Sequence, residues 1–167
     1  MNRAQFPLIG LAVMAAVVGG GLYLNRGSHV VLNGEIKKVR LHEVDARSSV
    51  AILDFRFSNP ADYQFMVRTI ELFMEAGAPG SEPVPGFIVA DTDAKRVLEA
   101  IPDLGPKYND SLKVRDRIPP KASDDRMIAA RFEVPVADLQ KRTRFRIRIE
   151  DVDGAVSELT ETNAQAH

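Results

Sequence analysis

SVAILDFRFSNPADYQFMVRTIELFMEAG, residues 49–77, holds two apolar-periodic runs joined by a polar corner, and its reading decides the fold. In the first run Ala51, Leu53, Phe55 and Phe57 share one parity while Asp54, Arg56 and Ser58 share the other, the period of two that marks a half-buried strand. Asn59-Pro60 stops it, because proline donates nothing to a ladder and restricts the residue before it, and asparagine and aspartate support turns. In the second run Phe65 and Val67 stand in one phase and Ile70, Leu72 and Met74 in the other. One extra residue reconciles them, so the spacing predicts a β-bulge near Arg68-Thr69.

Further strands are expected on both sides. Between Val30 and Val44 an interrupted alternation predicts a first strand or strand pair. Toward the C terminus, Ile128, Ala130, Phe132 and Val134 form one amphipathic strand, and Phe145, Ile147 and Ile149 another, the latter carrying Arg144, Arg146 and Arg148 on its opposite face. Asp153-Gly154 is hairpin-turn composition, which returns residues 155–159 antiparallel to the arginine strand. GAPGSEPVPG (77–86) reads as a loop, and Phe87 to Ala90 as a short strand. Asp91-Thr92-Asp93 offers caps for one short helix bearing Val97, Leu98 and Ile101, which Pro102 ends. Leu112, Val114, Asp116 and Ile118 predict one more short strand. The expectation is a mainly β chain: an antiparallel β-sandwich of about seven strands with one short helix, over residues 29–160, behind a membrane anchor and flank (1–28) and ahead of a polar tail (161–167).

The anchor is FPLIGLAVMAAVVGGGLYL, residues 6–24, an uncharged run between Arg3 and Arg26. At about 1.5 Å per residue it spans roughly 28 Å as a helix, the hydrocarbon thickness of a bilayer. A cleaved signal peptide competes, with Gly19 and Gly21 imitating its small-residue site, but its apolar core runs only about 7–15 residues. Arg26, Lys37, Lys38 and Arg40, against Arg3 and the amino terminus, pull the following domain toward the cytoplasm; a short N-terminal tail before one long apolar run reads instead as a signal anchor, and places it on the exported, periplasmic or extracellular side.

Composition narrows the chemistry. Beyond Arg3 and Arg26 the chain has 20 basic and 23 acidic residues, which does not suggest a nucleic-acid binder. With no cysteine, disulfides, thiolate metal sites and cysteine nucleophiles are excluded. Asp151 and Asp153 before Gly154 are weak calcium candidates, lacking the later acidic ligand of an EF-hand loop; a hairpin turn accounts for them better. Of three histidines, His29 lies beside the anchor and His167 in the tail, which leaves His42, and no nucleophile-elbow motif accompanies it, so no catalytic residue and no cofactor is expected. Arg144, Arg146 and Arg148 are candidates for contact with acidic partners or headgroups, against a plain solvated face.

The hydrophobic strand ending in Phe57-Ser58-Asn59-Pro60, followed by Tyr63, Val67, Ile70 and Leu72, resembles the late-embryogenesis-abundant type 2 family, whose domain is also called the water-stress and hypersensitive-response domain. The resemblance is best over residues 50–74 and implies a small immunoglobulin- or fibronectin-like sandwich, often behind a membrane helix, with no catalytic residues and with a stress-response association. Residues 91–120 depart from the pattern. On this reading Asn59, Pro60, Tyr63, Asp153 and Gly154 are structural, and the chain is a non-catalytic binding or structural module tethered through residues 6–24, with a protein partner at the loops 77–86 and 102–125; the alternative is an accessory or assembly subunit of a membrane complex.

Overall fold

The computed structural model describes residues 14, 31–77 and 81–161. Apart from Met14, the anchor expected over 6–24 lies outside the described residues, as does the tail 162–167; among the described residues no helix is long and apolar enough to cross a membrane. In chain order the elements are β1 (Asn33–Asp45), β2 (Ser48–Ser58), β3 (Phe65–Ala76), β4 (Val84–Ile88), α1 (Asp91–Ala100), a 3-10 turn (Pro102–Leu104), β5 (Asp110–Ser111), β6 (Arg117–Ile118), β7 (Ser123–Phe132), α2 (Val136–Gln140), β8 (Arg142–Asp151) and β9 (Val156–Thr160).

The protein is mainly β. Its strands follow the order β1-β2-β7-β4-β3-β8-β9, with β5 beside β7 and β6 beside β3. All pairings within that path are antiparallel. The sheet curls like a half-barrel until its edge strands approach each other at one parallel bridge, Ile36 to Glu161. At the middle, β4 changes partner: residues 84–86 pair with Leu72–Met74 of β3, and Phe87 and Ile88 pair with Arg131 and Ala130 of β7. Gly86 sits where the two halves meet. A Cβ there would lie 2.6 Å from the Phe132 ring, so only glycine lets β4 pass over that ring.

The principal core lies inside the curl, where Phe55, Phe57, Phe65, Phe132, Phe145 and Ile147 are buried. The bulge is where the phase change places it: Val67 pairs with Asp151 and Thr69 with Glu150, leaving Arg68 extra. Val67 above it and Leu72 and Met74 below it therefore all point inward.

Several expectations are corrected. β2 is not half-buried: every residue from Ser48 to Phe55 is buried, because α1 and the 3-10 turn cover the outer face, packing Ala94, Leu98 and Leu104 on Val50, Ile52, Met127 and Ala129. Residues 112–118 do not form one strand. β5 and β6 are separate two-residue pairings around a tight turn, with Leu112 and Ile118 buried and Val114 exposed. There is a second short helix, α2, beginning after Pro135 and burying Leu139, besides the 3-10 turn at Pro102. The helix α1 is preceded by Ala90 with no side-chain cap; Asp91 and Asp93 lie in its first turn and make ion pairs instead. β4 takes in Val84 to Gly86, which the glycine and proline content had assigned to a loop. Residue 161, assigned to the tail, belongs to the fold through its bridge to Ile36 and its ion pair with Arg142.

Candidate functional site

The densest polar constellation lies on the outer face of β1 and β2. Their register sets Arg40 opposite Ile52 and Lys38 opposite Asp54, so Arg40 and Asp54 are diagonal neighbours on one face. The segment 101–111 closes over them. Arg40 donates to Asp54 Oδ2 at 2.7 Å and to the carbonyls of Leu104 and Pro106 at 2.8 and 2.9 Å. Asn109 donates to Asp54 Oδ1 at 3.0 Å, and the Arg40 guanidinium lies 5.1 Å from the centre of the Tyr108 ring, on which Lys38 also stacks at 4.6 Å. Both charges of the pair are 7% exposed. This strap is a clamp: the buried cation satisfies carbonyls that have no ladder partner, and the carboxylate neutralises it.

At the edge of the strap, Lys107 bonds Asp91 at 2.6 Å and Lys113 approaches it at 3.3 Å. The Lys107 hydrogen bond, helped by Lys113, holds the Asp91 carboxyl well below the ordinary carboxylate range. The start of α1 is thus tied to the strand region it covers.

The residues singled out at the corner and the hairpin are bonded to backbone. Asn59 is 1% exposed; its amide donates to the carbonyls of Tyr63, Ile118 and Pro119 at 2.8, 3.3 and 3.1 Å, and its oxygen accepts from Ala61 N–H at 3.0 Å. Pro60 follows in the same corner, its carbonyl accepting from Lys121 at 2.6 Å, while Tyr63 is partly exposed beyond it. Asp151, also 1% exposed, accepts from Met66 N–H at 3.0 Å and Val152 N–H at 2.7 Å. It fastens the bulged end of β3 to the hairpin. The turn itself spans Val152-Asp153-Gly154, with Gly154 at φ 86° and its N–H on the Asp151 carbonyl at 2.9 Å. Asp153 is exposed at its tip, and among the described residues no group of three or more histidine, cysteine, aspartate or glutamate side chains is disposed to hold a metal ion. His42 faces Val50 across the β1–β2 ladder.

The arginine strand is interior to the sheet, not an edge, with β3 on one side and β9 on the other. Each arginine meets a glutamate: Arg148 with Glu71 at 2.8 Å, Arg144 with Glu75 at 2.6 Å, and Arg146 with Glu75 at 3.0 Å and Glu158 at 2.8 Å. Arg146 also covers the Phe73 ring, 5.3 Å from its centre. The face is a charge-balanced ladder spanning three strands, without the uncompensated field that attracts a polyanion.

An open groove of about 460 Å³ lies between the start of β1, the end of β2 and the start of β7, lined by Gly34, Glu35, Arg56, Phe57, Ser58 and Ser123. Arg56 is committed there to Asp125 by a two-pronged ion pair, which depresses the Asp125 carboxyl and raises the guanidinium. Of the segments expected to form a contact surface, 102–125 is anchored through the buried Leu104, Leu112 and Ile118, and more than half of its residues are exposed.

The clamp was missed in sequence because Arg40, Asp54 and Asn109 are distant in the chain. Its available signal was the unbroken apolar run Val50-Ala51-Ile52-Leu53, which shows that β2 is covered on both faces and that Asp54 shares the face of Val50 and Ile52. Compared with known protein families, with characterised proteins and with solved structures, the chain gives no match.

Proposed function

We propose that this chain is a non-catalytic, membrane-tethered binding or structural module of the late-embryogenesis-abundant type 2 kind, carried on the exported side by the apolar run 6–24. The observation that carries this reading is how the polar side chains are used. Asn59, Asp151, Arg40 and Asp54 bond backbone groups and one another, with Arg40 Nε and Asp151 Oδ2 the atoms of these four left without a partner, and the arginines of β8 pair with glutamates, so the buried polar chemistry holds strands and loops together. The finer architecture in this reading is an immunoglobulin- or fibronectin-like sandwich, with β1-β2-β7 as one layer, β3-β8-β9 as the other and β4 passing between them. The role of Asn59 supports the family resemblance: buried beside an exposed Pro60, it makes the Asn-Pro pair a bonded corner joining the β2–β3 connection to 118–119.

The test is crosslinking of the full chain in intact cells, with identification of captured proteins, repeated after residues 6–24 are exchanged for an unrelated membrane helix. A partner retained after the exchange is expected for a tethered module. Loss of capture with the domain still folded and membrane-bound overturns it in favour of an assembly subunit whose anchor makes specific helix contacts.

A further inference from the structure

Exposed apolar side chains gather at one end of the fold. Among the described residues other than Met14, eight large hydrophobic side chains are exposed, and four of them, Val31, Tyr63, Val114 and Val152, belong to the end at which β1 begins. The pairings place them there: Leu32 N–H is held by Ser157 near the start of β9, Val152 N–H bonds the Met66 carbonyl at the start of β3, and Arg115 N–H bonds the Val67 carbonyl beside it. Tyr63 lies in the corner that leads into β3. Val44 is at the opposite end, in the β1–β2 connection.

A second feature singles out the same end. Arg115 at φ 72° and Lys121 at φ 55° are the non-glycine residues with positive φ among those described. Such backbone is costly for an L side chain and persists only where its surroundings hold it. Here the Arg115 turn is held on Val67, and Lys121 N–H on the Ala61 carbonyl at 3.2 Å. Lys113 and Arg115 flank Val114, Arg117 pairs with Met66 and Lys121 N–H bonds Ala61, so four cationic residues lie in this end beside Asp62, Asp116 and Asp153; Lys121 pairs with Asp62 at 3.1 Å, and Lys113 reaches Asp91. Aliphatic and tyrosine side chains among cationic ones are the composition that sits in a headgroup layer.

We propose that this end of the domain docks on the surface of the bilayer that holds residues 6–24, with Val31, Tyr63, Val114 and Val152 entering the headgroup layer and Arg115 and Arg117 meeting lipid phosphates. The proposal rests on the membrane-tether reading above. Its geometric basis is the chain between the apolar run and the fold: from Leu24 to the buried Leu32 the backbone reaches at most roughly 25–30 Å, which keeps the β1 end within that distance of the lipid, while Val44 lies the length of β1 beyond it.

The chain has no cysteine, so one introduced cysteine carries one label. The full chain is reconstituted in vesicles of phosphatidylcholine and phosphatidylglycerol containing headgroup-nitroxide lipid, with a fluorophore at Val114→Cys, Val152→Cys or Val44→Cys. Immersion of about 5–10 Å into the interface predicts quenching at 114 and 152 at least about twofold stronger than at 44. Equal quenching at the three positions in chains that remain in the vesicles after an alkaline wash overturns the docking and leaves the tether standing. Release of the chain by that wash overturns the tether, and the docking with it.

Discussion

Asn59 shows what one side chain contributes here. With 1% exposure it bonds three carbonyls and one N–H, drawn from its own corner and from residues 118 and 119. A backbone polar group left buried without a partner costs more than a hydrogen bond gains, so truncation strands several groups at once. Asn59→Ala is expected to lower unfolding stability by about 2–4 kcal/mol, read as a fall in the urea midpoint at unchanged slope. A change under about 0.5 kcal/mol, the range of ordinary surface substitutions, would contradict the bonded corner. The asparagine-proline pair was legible as a turn from its chemistry, but the partners were not, because Ile118 and Pro119 lie some 60 positions away.

At the scale of elements, the strap 101–111 and the strand pair beneath it are coupled by Arg40 and Asp54. The ion pair is buried, so its net worth is the attraction less the desolvation of both groups, whereas removal of one partner leaves the other charge uncompensated. Asp54→Ala is expected to cost about 3–5 kcal/mol, and adding Arg40→Met to recover part of that loss. A double variant less stable than Asp54→Ala alone would show that the bonds from Arg40 to the Leu104 and Pro106 carbonyls outweigh the burial of its charge. The bulge at Arg68 is the opposite case in legibility. A phase change between Val67 and Ile70 is a local record of which face is inward, so it could be read without any knowledge of the partner strand. The two-residue strands β5 and β6 carry no such record, since two residues define no period.

For the whole molecule, closure is uneven. β2 is paired along its length by β1 and β7 and covered on both faces, while β9 has β8 on one side and a single bridge between Glu161, just beyond it, and Ile36 on the other. Amide exchange follows pairing and burial. Residues 49–57 are therefore expected to exchange at the slowest rates in the domain and residues 156–160 at rates about tenfold or more faster, measured by mass spectrometry or NMR. Protection of β9 equal to that of β2 would mean a closed barrel whose seam is as strong as its centre.

The amino-acid sequence by itself determined the apolar run 6–24, the mainly β class, the alternation of β8, the bulge and the Asp153-Gly154 hairpin, whereas the alternation expected for β7 gives way to burial of both faces over residues 127–130. Each of these is written in neighbouring residues, through a period, a composition or a turn preference. Only the tertiary structure decided what covers the outer face of β2 and β7, that β4 joins the halves over Gly86, that Arg40 and Asp54 form a covered pair, and that the arginines of β8 are matched by Glu71, Glu75 and Glu158. These depend on which strand lies beside which, and strand neighbours are chosen by burial of the whole chain at once, a quantity that no local stretch contains.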